Sequence, residues 1–121
     1  MKKLLLAAAV LSLAPAVATA ADESGVWRVN GDFGGAITYT ITCSLKEDAS
    51  GAITGDCTDP QGGTDPKVKG AATATSVEFA YDTTYQGAPV HLDYKGDVQP
   101  DGSLKGTIDA GGPQGAFTAT R

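Results

Sequence analysis

Between residues 37 and 45 apolar and polar side chains alternate without a break. Ile37, Tyr39, Ile41, Cys43 and Leu45 share one face, and Thr38, Thr40, Thr42 and Ser44 share the other. A period of two sets one row against a core and the other against water, which is the pattern of a half-buried strand. The alternation recurs in eight runs, over 26–33, 37–46, 52–58, 67–74, 77–83, 89–98, 103–109 and 115–121. Gly, Pro, Asp and Asn bound the runs, as turns require. Beyond residue 20 no apolar positions recur at the three-and-four spacing of an amphipathic helix, so the pattern predicts an all-β domain.

A short motif repeats inside this pattern. SGAITGDCT from Ser50 and DGSLKGTID from Asp101 match in turn, apolar and glycine positions, and Lys67–Ala72 is a looser copy. Gly55, Gly70 and Gly106 therefore fall on the inward face with Ile53, Val68 and Leu104. An inward glycine lets a strand bend and leaves room beside it for a large side chain. Bending strands with one apolar face and short turns predict an eight-stranded antiparallel up-and-down barrel. The alternative is a β-sandwich.

The two cysteines follow from register. The second and third runs are joined by EDASG, a hairpin turn. A symmetric hairpin centred on Ser50 pairs residues whose numbers sum to 100, which sets Cys43 opposite Cys57. Opposed residues on antiparallel strands lie within disulfide reach. The alternative is a reactive or metal-binding pair, disfavoured by the inward parity.

The chain ends carry a second prediction. With an even number of alternating strands, the first begins and the last ends at one rim, the base. Trp27 enters there with the inward parity of Val29, and Phe117, Ala119 and Arg121 share a face on the last run. The guanidinium of Arg121 is thus expected over the Trp27 indole, a cation–π contact closing the base. The alternative is an ordinary core tryptophan and a frayed terminal arginine.

Composition and the N-terminus add a compartment. Lys2 and Lys3 precede an apolar stretch from Leu4 to Ala18, and Ala18-Thr19-Ala20 has the small residues of a cleavage site. This reads as a signal peptide, residues 1–20, cleaved after Ala20; the alternative is a retained membrane anchor. Residues 21–121 then form a single domain with seven basic and fourteen acidic residues, a net charge of −7. That balance argues against nucleic acid and against anionic membrane surfaces. Export and a disulfide agree with a periplasmic or secreted location. The polar outward faces lean towards a monomer.

Gly25-Val26-Trp27 on the first strand, with an arginine closing the last, resembles the calycin pattern. The layout is most similar to the avidin and streptavidin type, where a Gly-x-Trp strand, a strand like Ile53-Thr54-Gly55 and a terminal Phe-Thr like Phe117-Thr118 also occur. The resemblance implies a small ligand-binding barrel. Avidins enclose biotin with several late-strand tryptophans, whereas this chain has only Trp27 and places Phe79, Tyr81, Leu92 and Tyr94 there. Biotin binding is therefore not carried over. A lipocalin-type helix after the last strand is not expected. The chain is also similar to small protease-inhibitor barrels in size, export and single disulfide. Such inhibitors dock through an N-terminal segment, here Ala21-Asp22-Glu23-Ser24.

Catalysis has little support. His91 is the one histidine and lies on outward parity; no nucleophile has an evident base. Asp56, Asp59 and Asp65 flank a Gly/Pro-rich loop, but their spacing suits a solvated loop better than a calcium site. No cofactor, metal or enzymatic activity is expected. The rim opposite the base carries longer, glycine-rich loops, GDFGGA, DPQGGTDP, TTYQGAP and AGGPQG. Tyr39, Tyr81 and Tyr94 are on inward parity, towards or within the upper barrel, and with Phe79 they are the candidate ligand-binding residues; the alternative is that the tyrosines simply fill the core. An aromatic mouth with a few hydroxyls suits a small apolar or amphipathic ligand. An exported protein is the alternative partner, and a structural envelope role is the default if neither exists.

Overall fold

The computed structural model describes residues 22–59 and 62–121. Residues 1–21, which include the segment expected to be a signal peptide, lie outside the described residues. Eight antiparallel strands close into a barrel in chain order: β1 (Gly25–Phe33), β2 (Ile37–Glu47), β3 (Ala52–Cys57), β4 (Lys67–Ala72), β5 (Ser76–Tyr85), β6 (Ala88–Val98), β7 (Leu104–Asp109) and β8 (Gln114–Thr120). Each strand pairs with the next, and β8 returns to β1 through Arg28–Asp32. Closure removes the free sheet edges that a sandwich would keep. The barrel, not the sandwich, is the fold.

The inward rows are those of the alternation. Val29, Ile41, Leu45, Ile53, Val68, Val77, Leu104, Ile108 and Ala119 are buried, while their strand neighbours face water. The hairpin register is as expected, with Cys43 paired to Cys57 and joined to it as a disulfide, Cα atoms 3.9 Å apart. Base turns are held by short polar side chains. Asp48 Oδ1 accepts from the backbone N–H groups of Ser50 and Ala52 and from the Ser50 hydroxyl, and Asp101 does the same for Ser103. These bonds favour the ionised carboxylates and hold both below the usual aspartate range.

Two expectations change. The inward glycines of the repeat admit neighbouring backbone rather than a large side chain. A Cβ at Gly55 would run into the Ser44 carbonyl, and one at Gly106 into the Lys95 carbonyl and Gly96. Rings cover other glycines instead: Tyr39 lies over Gly31, and Phe117 over Gly96. The TTYQGAP loop is also shorter than expected. Strand β5 runs on to Tyr85, and Gln86 and Gly87 turn the chain with φ of 52° and 83°. Positive φ at both central residues matches the twist of a two-residue hairpin.

At the base, Arg121 Cζ lies 4.5 Å from the centre of the fully buried Trp27 ring. Arg121 Nη1 donates to the carbonyls of Asp22 and Ser24 at 2.9 and 2.8 Å. The Trp27 indole donates to the Glu23 carbonyl at 2.9 Å. The cation thus clasps the incoming chain as well as the indole. Glu23 folds under this clasp with a side chain only 1% exposed, 3.7 Å from Arg121 Nη2. Desolvation raises its pKa above the ordinary 4.5, with the Arg121 charge opposing in part.

The sign of the consequence follows from proton linkage. A carboxyl with a raised folded pKa takes up its proton in the native state first. Glu23 therefore costs stability above its raised pKa, and that cost fades as pH falls towards 4.5. Urea midpoints of the wild type are expected to contain a component that falls as pH rises above 4.5, and Glu23→Gln is expected to remove it. An unchanged pH slope in the variant would show that the buried carboxyl does not titrate in this way.

Candidate functional site

The interior is divided into two halves. The lower half is solid. Phe79 stacks on Tyr94 with ring centres 4.6 Å apart, and Phe117 meets both rings edge-on at 6.2 and 5.2 Å. These three rings come from β5, β6 and β8, where inward parity brings them to similar height. The upper half is open, a cavity of about 680 Å³ at the rim opposite the base. That size suits a ligand of ordinary small-molecule dimensions.

The cavity wall is built from strand ends and all four upper loops. Tyr39, Tyr81 and Leu92 form its deeper part, and Val90 stands one step higher, paired with Thr83 across β5 and β6. Phe33, Ile37, Thr83, Thr84 and Tyr85 lie nearer the opening, and Thr58, Asp59, Pro66, Ala110 and Pro113 come from the longer loops. The lining is mainly apolar, and Asp59 is its sole ionisable carboxylate among the described residues. Ile37 and Tyr85 are 38% and 43% exposed, so the opening itself is hydrophobic.

The floor carries the polar groups. Tyr94 hydroxyl lies 2.6 Å from the hydroxyl of Tyr39 and 2.6 Å from that of Tyr81. Burial pushes the Tyr81 and Tyr94 hydroxyls well above the ordinary tyrosine range, and Tyr39 upward in the same direction. All three stay protonated at neutral pH. Tyr39 reaches this position because β1 carries Gly31 directly opposite it, leaving space for the ring.

Of the four residues expected at the site, Tyr39 and Tyr81 line the cavity. Tyr94 touches it only through its hydroxyl partners, and Phe79 lies beneath as packing. Leu92, named with the late-strand aromatics, also lines the wall, and Val90, Pro66 and the rim residue Tyr85, which were not singled out, complete it. For Val90 and Tyr85, inward parity on β6 and β5 was the available signal. Nothing in the loop sequence marks Pro66. His91 stays outside the barrel, its Nδ1 2.8 Å from Asp82 Oδ1 across the β5–β6 ladder. The three loop acids do not converge: Asp56 pairs with Lys67 at 3.6 Å, Asp59 accepts from the Gly63 N–H, and Asp65 accepts from the Asp59 N–H. No cluster of three metal-ligating side chains occurs among the described residues.

No protein-family model matches the chain, and no curated protein or solved structure shows significant similarity to it. What stands is a small closed antiparallel β-barrel with one disulfide, a bond that points to an oxidising, non-cytoplasmic compartment.

Proposed function

We propose that this barrel is an exported, calycin-like binding protein that holds a small apolar or amphipathic molecule in its mouth. The observation that carries the reading is the apolar cavity of about 680 Å³ above a solid aromatic floor. A side-chain-filled barrel would have no such space, since eight strands leave an interior just wide enough to be filled. The exposed Ile37 and Tyr85 at the opening extend the apolar surface outward, as a site for a water-insoluble guest would. Signal cleavage after Ala20 and a periplasmic or secreted location belong to the same reading.

The inhibitor reading draws less support. Its docking arm would be residues 21–24, yet Asp22 and Ser24 carbonyls accept from Arg121, and the Glu23 N–H donates to Glu47 Oε1 at 2.9 Å. An arm held this way must break the base clasp before it can reach a partner.

Native mass spectrometry of protein purified from its own host tests the binding reading. A retained adduct, lost on denaturation, is the expected result. Val90→Trp should fill the cavity and weaken binding of an apolar fluorescent probe by more than tenfold, with little change in melting temperature. Absence of both an adduct and saturable probe binding in the wild type would overturn it.

A further inference from the structure

The hydroxyl chain at the cavity floor has one hydrogen too many. Tyr39, Tyr94 and Tyr81 bring three hydroxyl hydrogens, and the chain contains two hydrogen bonds. One hydrogen is always left over. If Tyr94 accepted from both neighbours, the surplus would be its own, and Tyr94 is fully buried. An orphaned donor at such a position carries the full desolvation penalty. A head-to-tail chain avoids this, because Tyr94 then donates to one neighbour and accepts from the other. The surplus hydrogen moves to Tyr39 or Tyr81, and both of these line the cavity. Beside them Val90 and Leu92 offer no side-chain acceptor, and the Thr83 hydroxyl, two residues on from Tyr81 and paired with Val90, is hydrogen-bonded to neither tyrosine among the described residues. No Lys, Arg or His is among the described lining residues, and the lining carboxylate Asp59 acts on Tyr81 through its charge and not through a hydrogen bond.

Resting on the binding reading above, the geometry points to a neutral ligand with an apolar body and one hydrogen-bond-accepting oxygen, a carbonyl or ether, seated against the hydroxyl of Tyr39 or Tyr81. An anionic head group would meet no countercharge there, and a buried unpaired charge is costly. A pure hydrocarbon would leave the surplus hydrogen unpaired.

Three rigid fluorescent probes separate these cases: 2-acetylnaphthalene, 2-ethylnaphthalene and 2-naphthoate, titrated at pH 7 against wild type, Tyr94→Phe and the double variant Tyr39→Phe/Tyr81→Phe. The double variant removes both cavity-facing hydroxyls. It is expected to lose roughly three- to tenfold in affinity for the ketone, the range of one net hydrogen bond, and less than twofold for the hydrocarbon. Unchanged hydrocarbon affinity also reports an intact cavity. Tyr94→Phe frees both outer hydroxyls and is expected to keep ketone affinity. Naphthoate should bind at least tenfold more weakly than the ketone to the wild type.

Failure of all three probes to bind would overturn the binding reading itself. Binding of ketone and hydrocarbon with equal losses in the double variant would overturn only the hydroxyl assignment. Naphthoate binding as tightly as the ketone would overturn the neutral ligand class. A ketone loss in Tyr94→Phe as large as that in the double variant would show that the middle hydroxyl, not the outer pair, faces the guest.

Discussion

Trp27→Ala is expected to lower the unfolding free energy by about 3–5 kcal/mol, the range for emptying a buried aromatic site. Trp27 is 0% exposed at the base of the barrel, with an indole N–H bonded to the Glu23 carbonyl. Its loss opens a cavity, orphans that carbonyl and takes the ring from under Arg121. Such a change is a large share of the stability of a domain this size. Because Trp27 is the single tryptophan, denaturation should be followed by circular dichroism rather than by indole fluorescence. A double-mutant cycle with Arg121→Ala isolates the clasp. The coupling energy is expected at about 0.5–2 kcal/mol, the range for a partly desolvated cation over an indole. Strict additivity would mean that Arg121 acts only through its bonds to the Asp22 and Ser24 carbonyls.

Breaking the disulfide should have the second large effect. Cys43 and Cys57 are 14 positions apart, so they close a 15-residue loop, for which the chain-entropy relation gives about 3 kcal/mol. The EDASG turn already keeps the two strands close in the unfolded chain, which makes this an upper value. Cys43→Ala/Cys57→Ala is expected to lower the melting temperature by roughly 10–20 °C, following the usual scaling for small domains. The sulfurs are also shielded, since the two cysteines are 0% and 1% exposed. Reduction of the native protein by dithiothreitol should therefore proceed at the rate of unfolding. Fast reduction without loss of far-UV signal would show that β2 and β3 open locally.

Much of the fold was legible because strand parity is a local property. Alternation along Ile37–Leu45 told which side chains face inward, and counting from the EDASG turn paired Cys43 with Cys57. Even strand number and parity together brought Arg121 to Trp27. The site was legible only in part. Tyr39, Phe79, Tyr81 and Tyr94 share inward parity, yet parity says nothing about height along the barrel axis. Height depends on the stagger accumulated strand by strand. That stagger put Phe79 opposite Tyr94 below the cavity and left Tyr39 and Tyr81 in its wall.

The amino-acid order by itself determined inside from outside, the disulfide partner and the rim at which the termini meet, because these follow from a two-residue period and turn lengths. Tertiary structure alone decided that the lower barrel is solid and the mouth open, that Gly31 makes room for the Tyr39 ring, and that three hydroxyls converge on one point. Those outcomes depend on how residues from strands distant in sequence share a single enclosed volume. No local pattern encodes that volume, since it exists only once the cylinder has closed.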